Sequence, residues 1–231
     1  MPADPKPEIA SVWTRPQRRR EQLSREQIVA EAVRLLDADG LEALSMRKLG
    51  TRLDAGATSL YRHVANKDEL IELVVDEVYG ELAVPAAAGP GEWREAAARA
   101  AYSQRAMILS HPWIASVLGQ VGLLHLGPNV TKVSERMAAV YRTAGFREAE
   151  TELALSTVIA YVIGMATSEA AYLSLIARSG STEREFARGL PGGTDAAGAG
   201  ADPERVREET FDYGLQRVLD GLQARLGPTA R

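Results

Sequence analysis

Apolar positions recur at helical spacing along most of this chain, and no stretch alternates with the period of two that a half-buried strand requires. Ile28, Ala32, Leu35 and Leu36 mark the inner face of a first helix. Ser24 and Gln27 open it at capping-box spacing, and Asp39-Gly40 stops it. Leu41 and Leu44 carry the apolar face through a short connection to Ser45, which caps a second helix bearing Met46, Leu49 and Leu53 on one side. Asp54-Ala55-Gly56 then forms a three-residue turn with a Gly, as a helix-turn-helix requires. The third helix, about 57–63, is expected to bury Leu60 and part of Tyr61. Asn66 and Glu69 stand in capping-box positions for a fourth, which runs on through about 82 as a linker.

Beyond it, Pro85 to Gly91 breaks the chain. The pattern then predicts helices at about 92–110, 113–124, 130–144, 147–178 and 204–226, with His111-Pro112, Gly127-Pro128 and Gly145-Phe146 between the first four. Residues 179–203 hold six Gly and little apolar content, and read as a mobile loop. The expected fold is therefore all-α. A flexible basic arm (1–22) leads into a helix-turn-helix unit of three helices (23–70), joined to a larger helical domain (71–231).

Polar chemistry concentrates on the third helix. Thr58, Ser59, Arg62 and His63 cluster on its outward side more tightly than a packed core requires. In a DNA major groove, Arg grips guanine O6 and N7 with two hydrogen bonds, while Thr and Ser bond to base edges or phosphates. Lys67 sits in the first turn of the fourth helix, where the helix N-terminus favours an anion such as a phosphate. The alternative for these residues is a three-helix bundle with a solvated charged face.

Charge changes that balance. The chain carries a net −4, yet residues 11–67 hold 11 Lys or Arg against 7 Asp or Glu, a net of +4, which leaves an acidic body. A basic reader and an acidic remainder suit contact with phosphate through one end. Arg15, Arg18, Arg19 and Arg20 precede the first helix and read as an arm that adds salt-sensitive affinity. With no Cys, the chain has neither disulfides nor thiolate metal sites, which suits a reducing cytoplasm. The first 20 residues, with four Pro, lack the apolar core of a secretory signal. The least charged run, Leu153 to Ser168, is shorter than the roughly 20 residues a bilayer span needs. An interface helix, and no membrane partner, is expected.

LSMRKLGTRLDAGATSLYRHVANKDEL, residues 44–70, resembles the bacterial tetracycline-repressor (TetR) family. Trp93, Arg105 to His111, His125-Leu126-Gly127, Gly145-Phe146, Ala154-Leu155-Ser156 and Gly164 extend the likeness towards the tetracycline-responsive subgroup, closely over about 24–112 and in patches over 125–178. Asp54 departs from the pattern by standing where the family usually has Gly; Asp tolerates a left-handed conformation, so the turn is expected to survive.

The resemblance implies a transcriptional regulator, by family expectation a repressor, that leaves a palindromic operator when a small molecule binds. Tyr61, His63 and Lys67 would contact phosphates, with Arg47, Thr58, Ser59 and Arg62 at or near base edges. Gln104, Met107, His125, Met137, Leu155 and Ile159 would line the ligand pocket, and a buried amide such as Gln104 must find partners. The last two long helices would pair with a second copy through Thr157, Tyr161, Gly164, Ser168, Phe211, Leu215 and Leu222, giving a homodimer. In tetracycline-binding members a His in the HLG setting holds a drug-bound metal. Here Pro128-Asn129 replaces the usual continuation, Ala100 falls where a polar drug-holding residue is expected, and Glu169 is one residue out of register. No resident metal or cofactor is therefore expected, and the ligand reads as a different, mostly apolar, multi-ring molecule.

Two other readings stay open. A ligand-blind DNA-binding protein would keep the reader and use the larger domain for dimerisation alone. An all-helical enzyme would have to work through His125 and Glu169, without a nucleophile, a phosphate-binding Gly loop or a metal cluster.

Overall fold

The computed structural model describes residues 23–87, 89–121, 127–189 and 202–226, and these form helices and turns with no strand among the described residues. The basic arm and His125 lie outside them. Helix α1, Arg25–Asp39, starts with the expected capping box of Ser24 and Gln27. After a 3-10 turn at Leu41–Ala43, α2 spans Met46–Arg52 with Ser45 as its cap. α3, Ala57–Leu60, is shorter than its pattern suggested; Tyr61 to Val64 continue as a tightened turn in which His63 N–H and Val64 N–H both reach the Leu60 carbonyl. α4, Lys67–Tyr79, is capped by Asn66, while the Glu69 carboxylate takes the Ala65 N–H.

The helix-turn-helix closes because two backbone positions comply. Asp54 adopts φ +47°, the left-handed conformation that the turn requires. At Gly50 a Cβ would lie 2.7 Å from the Ala55 carbonyl oxygen, so only Gly lets the turn fold back onto α2. Behind this turn Ile28, Leu35, Leu49, Leu60, Leu70 and Val74 are fully buried.

α5 (Trp93–Ser110), α6 (Ile114–Val121), α7 (Pro128–Ala144), α8 (Glu148–Ser179), α9 (Glu183–Arg188) and α10 (Pro203–Leu226) complete the fold. α8 is its spine and packs on α5, α7 and α10, while α7 also leans on α4. Two apolar clusters divide the interior. The first runs without a break from α1–α4 into Met107, Ile108, Trp113, Ile114 and Met137. The second gathers Trp93, Tyr141 and Phe146 with Val162, Phe211, Leu215 and Leu219. The Trp93 indole N–H donates to Gln223 at 3.0 Å and so ties the start of α5 to the end of α10.

A buried ion network joins the far ends of these helices. Arg105 on α5 donates two hydrogen bonds to Glu169 on α8, at 2.7 and 2.6 Å, and Arg207 on α10 adds a third at 3.0 Å. Arg207 also pairs with Glu183 on α9. By length and hydropathy α8 resembles a membrane span. It also packs against α5, α7 and α10 and carries Glu169, a carboxylate fixed by two arginines.

The 179–203 stretch departs from the sequence reading. Thr182 and Glu185 form a capping box that starts α9, and Phe186 packs edge-on against Tyr172, so part of the expected loop is an anchored helix. Residues 190–201 lie outside the described residues.

Candidate functional site

Two places bring chemistry together: the outer face of the helix-turn-helix, and a cavity among α5, α7 and α8. On the first, Arg47, Thr58, Tyr61, Arg62 and Lys67 are exposed, and Ser59 and His63 are half-buried. Tyr61 stands out with half its surface in solvent. Neighbouring cations are already committed. Lys48 pairs with Asp39 at 2.9 Å, and Arg52 reaches Glu31 at 2.6 Å. The Lys48 ammonium, by its hydrogen bond, holds the Asp39 carboxyl below its ordinary range. Arg47, Arg62 and Lys67 make no ion pair among the described residues, so these three retain their charge for an outside anion. Arg25, which the sequence did not single out, donates to the His63 carbonyl at 3.3 Å and steadies the end of the turn.

The second place is a tight apolar cavity of about 10 Å³, room for one water, lined by Ala97, Ala100, Ala101, Gln104, Met137, Val140, Tyr141, Leu155, Val158 and Ile159. Of the expected pocket residues, Gln104, Met137, Leu155 and Ile159 meet here. Met107 does not: it is buried in the cluster shared with the reader, one turn further along α5. Ala100 meets the position where the resemblance places a drug-holding residue, whereas Tyr141, Ala97 and Ala101 went unrecognised, since Ala at helical spacing reads as plain core. Glu169 is held by two arginines and is unavailable as a ligand to a bound metal. No cluster of three His, Asp or Glu suited to a metal occurs among the described residues.

Hydrogen bonds connect the cavity to the reader. α7, which supplies Met137, Val140 and Tyr141, begins against α4: the Asp76 carboxylate accepts the backbone N–H groups of Asn129 and Val130 at 2.9 and 3.0 Å. The Asn129 side-chain amide donates back to the Asp76 carbonyl at 3.1 Å. A carboxylate at a helix N-terminus satisfies orphan donors and meets the positive end of the helix dipole. This explains why Pro128-Asn129 departs from the tetracycline-binding pattern: Pro128 occupies the first turn of α7, and Asn129 docks it on α4. A second tie lies at the corner after α5. The His111 ring sits between Asp37 on α1, 2.7 Å from Nδ1, and Glu81 after α4, 3.2 Å from Nε2, while the Trp113 indole N–H donates to Asp37 at 2.7 Å.

Part of the expected pairing surface is corrected. Phe211 and Leu215 are 1% and 0% exposed, enclosed by Tyr102, Tyr161 and the rest of the second cluster, and have no surface to offer a second chain. Tyr161 is half-buried, its hydroxyl donating to the Phe211 carbonyl at 2.7 Å, and Leu222 is also half-buried against that cluster. Thr157, Gly164 and Ser168 are exposed along α8, in line with Leu153, Ala160, Ala171 and Leu175.

Residues 28–74 match the family "Bacterial regulatory proteins, tetR family", and residues 84–226 match "Tetracyclin repressor-like, C-terminal domain". The chain belongs to the TetR family. It is similar to an HTH-type transcriptional regulator of Saccharopolyspora erythraea, 37% identical over 223 residues that cover 94% of this chain and 93% of the relative. The HTH-type transcriptional repressor DrrR1 of Streptomyces coeruleorubidus is 34% identical, over 87% of this chain and 77% of its own length. Among solved structures, the TetR family protein ActR of Streptomyces coelicolor in complex with actinorhodin superposes with a TM-score of 0.68 at 30% identity, covering 90% of this chain and 99% of that one. This TetR-family chain is a DNA-binding transcriptional regulator.

Proposed function

We propose that the protein is a homodimeric repressor that leaves a palindromic operator when a small, largely apolar molecule enters the cavity among α5, α7 and α8. The observation that carries this reading is the continuous path from that cavity, along α7, through Asp76 to α4 and so to the reader. The repressor among its relatives and the ligand-bound structural neighbour support it. Arg47, Thr58, Ser59 and Arg62 take base edges in this reading, and Tyr61, His63 and Lys67 take phosphates.

Two half-sites about one helical turn apart, roughly 34–36 Å, require two readers in fixed relation. The α8 stripe of Leu153, Thr157, Ala160, Gly164, Ser168, Ala171 and Leu175 fits the role of the pairing surface. It is exposed, largely apolar, and built from small residues at its centre, with Tyr213 of α10 also in solvent. A ligand that widens the gap between α5, α7 and α8 moves α7, and with it the α4 end of each reader. It shifts the dimer only by as much as it binds one shape better than the other. The protein acts by binding, in the cytoplasm, and catalyses nothing.

The test is selection of duplexes from a random library, followed by release with a panel of apolar metabolites and measurement of mass in solution. A palindromic site bound by a dimer and released by one compound is the expected result. A site that no compound releases would make the chain a ligand-blind regulator. A monomer without a selected site would overturn the reading.

A further inference from the structure

His111, at the corner after α5, is 7% exposed, and its backbone is pinned on both sides. Its N–H donates to the Met107 carbonyl and its carbonyl accepts the Ile114 N–H, each at 2.9 Å. The ring therefore has a fixed place, edge-on to Trp113. Asp37 Oδ1 stands 2.7 Å from its Nδ1, and Glu81 Oε2 stands 3.2 Å from its Nε2. A carboxylate oxygen only accepts, so both ring nitrogens can bond only when each carries a hydrogen, which makes the ring an imidazolium. Burial disfavours a charged ring, and the two carboxylates offset that here.

No other charge takes its place. Among the described residues neither Asp37 nor Glu81 has a Lys or Arg partner. Charged groups further along the same elements face elsewhere. Arg34 and Asp39 on α1 are paired with Glu31 and Lys48, Asp76 on α4 caps α7, Glu77 lies in solvent, and Arg105 on α5 is held by Glu169. α6 bears no charged residue.

The two carboxylates are not equal. Asp37 is the more enclosed, its side chain 32% exposed against 54% for Glu81, and it also takes the Trp113 indole N–H at 2.7 Å. When the ring gives up one proton, the remaining hydrogen stays on Nδ1, toward the shorter bond and the fixed acceptor. Nε2 then turns a lone pair on Glu81, two acceptors face each other, and Glu81 swings into water. Glu81 follows directly on the end of α4, so α4 loses its hold on the corner while α1 keeps its own.

The geometry points to His111 as a proton-controlled tie between the reader and the larger domain: charged, it holds both α1 and the end of α4, and neutral, it holds α1 alone. A reader whose α4 is loose must be ordered again on DNA, which lowers its affinity. Operator binding and retention of this proton are thereby linked, and each favours the other.

The test uses the full chain on its selected operator, from about pH 6 to 8.5, a range that spans the ordinary titration of histidine. Melting curves without DNA cover the same range. Wild-type affinity should fall about three- to fivefold as pH rises, the worth of one partly exposed charged pair. Glu81→Gln should flatten the profile, since an amide offers its oxygen to a protonated Nε2 and its N–H to a bare one. His111→Asn places its amide nitrogen where Nδ1 lies, keeps the Asp37 bond and has no donor for Glu81. It should show, at every pH, the affinity that the wild type has at the alkaline end. His63 and His125 can also exchange a proton, but the wild type and both variants keep them, so the differences between profiles belong to His111. In the melts, the wild type should exceed Glu81→Gln at the acid end and lose that lead as pH rises. A wild-type slope left intact in both variants would overturn the proposal and assign the pH dependence to the other histidines. A wild-type profile without slope in binding and in melting would overturn it as well. The melts need no operator, so they decide for the tie even if the proposed palindromic site fails.

Discussion

Asp76 and Asn129, 53 residues apart in the chain, hold each other by reciprocal hydrogen bonds, the carboxylate of one taking the backbone N–H of the other and the side-chain amide returning to the first residue's carbonyl. Through them the start of α7 is capped from α4 and not by its own N-cap residue. Gly127 makes the approach possible, since a Cβ there would lie 2.3 Å from the Asp76 carboxylate.

Asp76→Ala should therefore separate sensing from response. Loss of a helix cap costs about 1 kcal/mol, a fall of roughly 2–4 °C in melting temperature for a chain of this size. Ligand affinity for the cavity should change less than twofold, while the ligand concentration needed to release the operator should rise severalfold. A titration of ligand into the preformed DNA complex reads both. Equal change in the two quantities would show that α7 and α4 are not coupled through this contact.

The helix-turn-helix predicts a pair of opposite substitutions. Asp54→Gly removes the strain of a non-Gly residue at φ +47° and should raise the melting temperature slightly, by no more than about 1 kcal/mol of stability. Gly50→Ala forces a Cβ against the Ala55 carbonyl, a backbone atom that cannot move alone, and should cost about 1–3 kcal/mol together with operator binding. Thermal melts of the two variants, side by side, check the sign of each.

On the reading face, Arg62→Ala should weaken binding to the selected operator by about 1–3 kcal/mol and binding to random duplex much less. Lys67→Ala should weaken both by similar factors and lower the slope of affinity against salt by about one ion. Equal losses on specific and random duplexes for both variants would remove the division between base and phosphate contacts.

Acid should loosen one end of the protein in a defined window. Glu150, near the start of α8, takes hydrogen bonds from Arg147 and from Arg225 at the end of α10, and these hold its carboxyl down at about 2, well below its unfolded value of 4.5. A depressed carboxylate contributes its full stabilisation above the unfolded value and loses it as pH falls through the folded one. The melting temperature of Glu150→Gln should thus lie below that of the wild type at pH 6, and the gap should narrow steadily between pH 4.5 and 2.

Trp113→Phe keeps an aromatic ring in the corner after α5 but removes the indole donor to Asp37. Affinity for the operator should fall while the ligand-binding constant of the isolated protein holds, because Asp37 belongs to α1 and the cavity does not touch it. Paired measurements on the same preparation distinguish this from general destabilisation, which would lower both.

The helices were largely readable in the pattern of apolar positions, because each buries one stripe against a neighbour. α9 was hidden by the Gly-rich stretch around it, although Thr182 and Glu185 carried its capping signal in plain view. The cavity was half legible. Gln104 stood out as an amide on an apolar helix, whereas Ala97, Ala100 and Ala101 matter through the volume they do not fill, which no residue type announces. Phe211 and Leu215 could not be assigned from α10 alone: a helix with apolar residues on a wide face does not say which of them its own protomer encloses. Asp76 gave no sign either, since its partners lie in a segment reached only by tertiary folding.

The first apolar cluster passes without interruption from α1 through α4 into α5, α6 and α7, joining Leu36, Leu49 and Val78 to Ile108, Ile114 and Met137. Through this shared core the reader borrows its floor from the larger domain. Cut away at residue 70, it would lose the buried Val74, Val75 and Val78 and uncover the apolar surface on which they pack. In evolutionary terms, a DNA-reading module of this build cannot be exchanged between regulators as a free cassette. Its working border lies inside the larger domain, and a functional chimera has to carry α4 together with the surfaces of α5, α6 and α7 on which it rests.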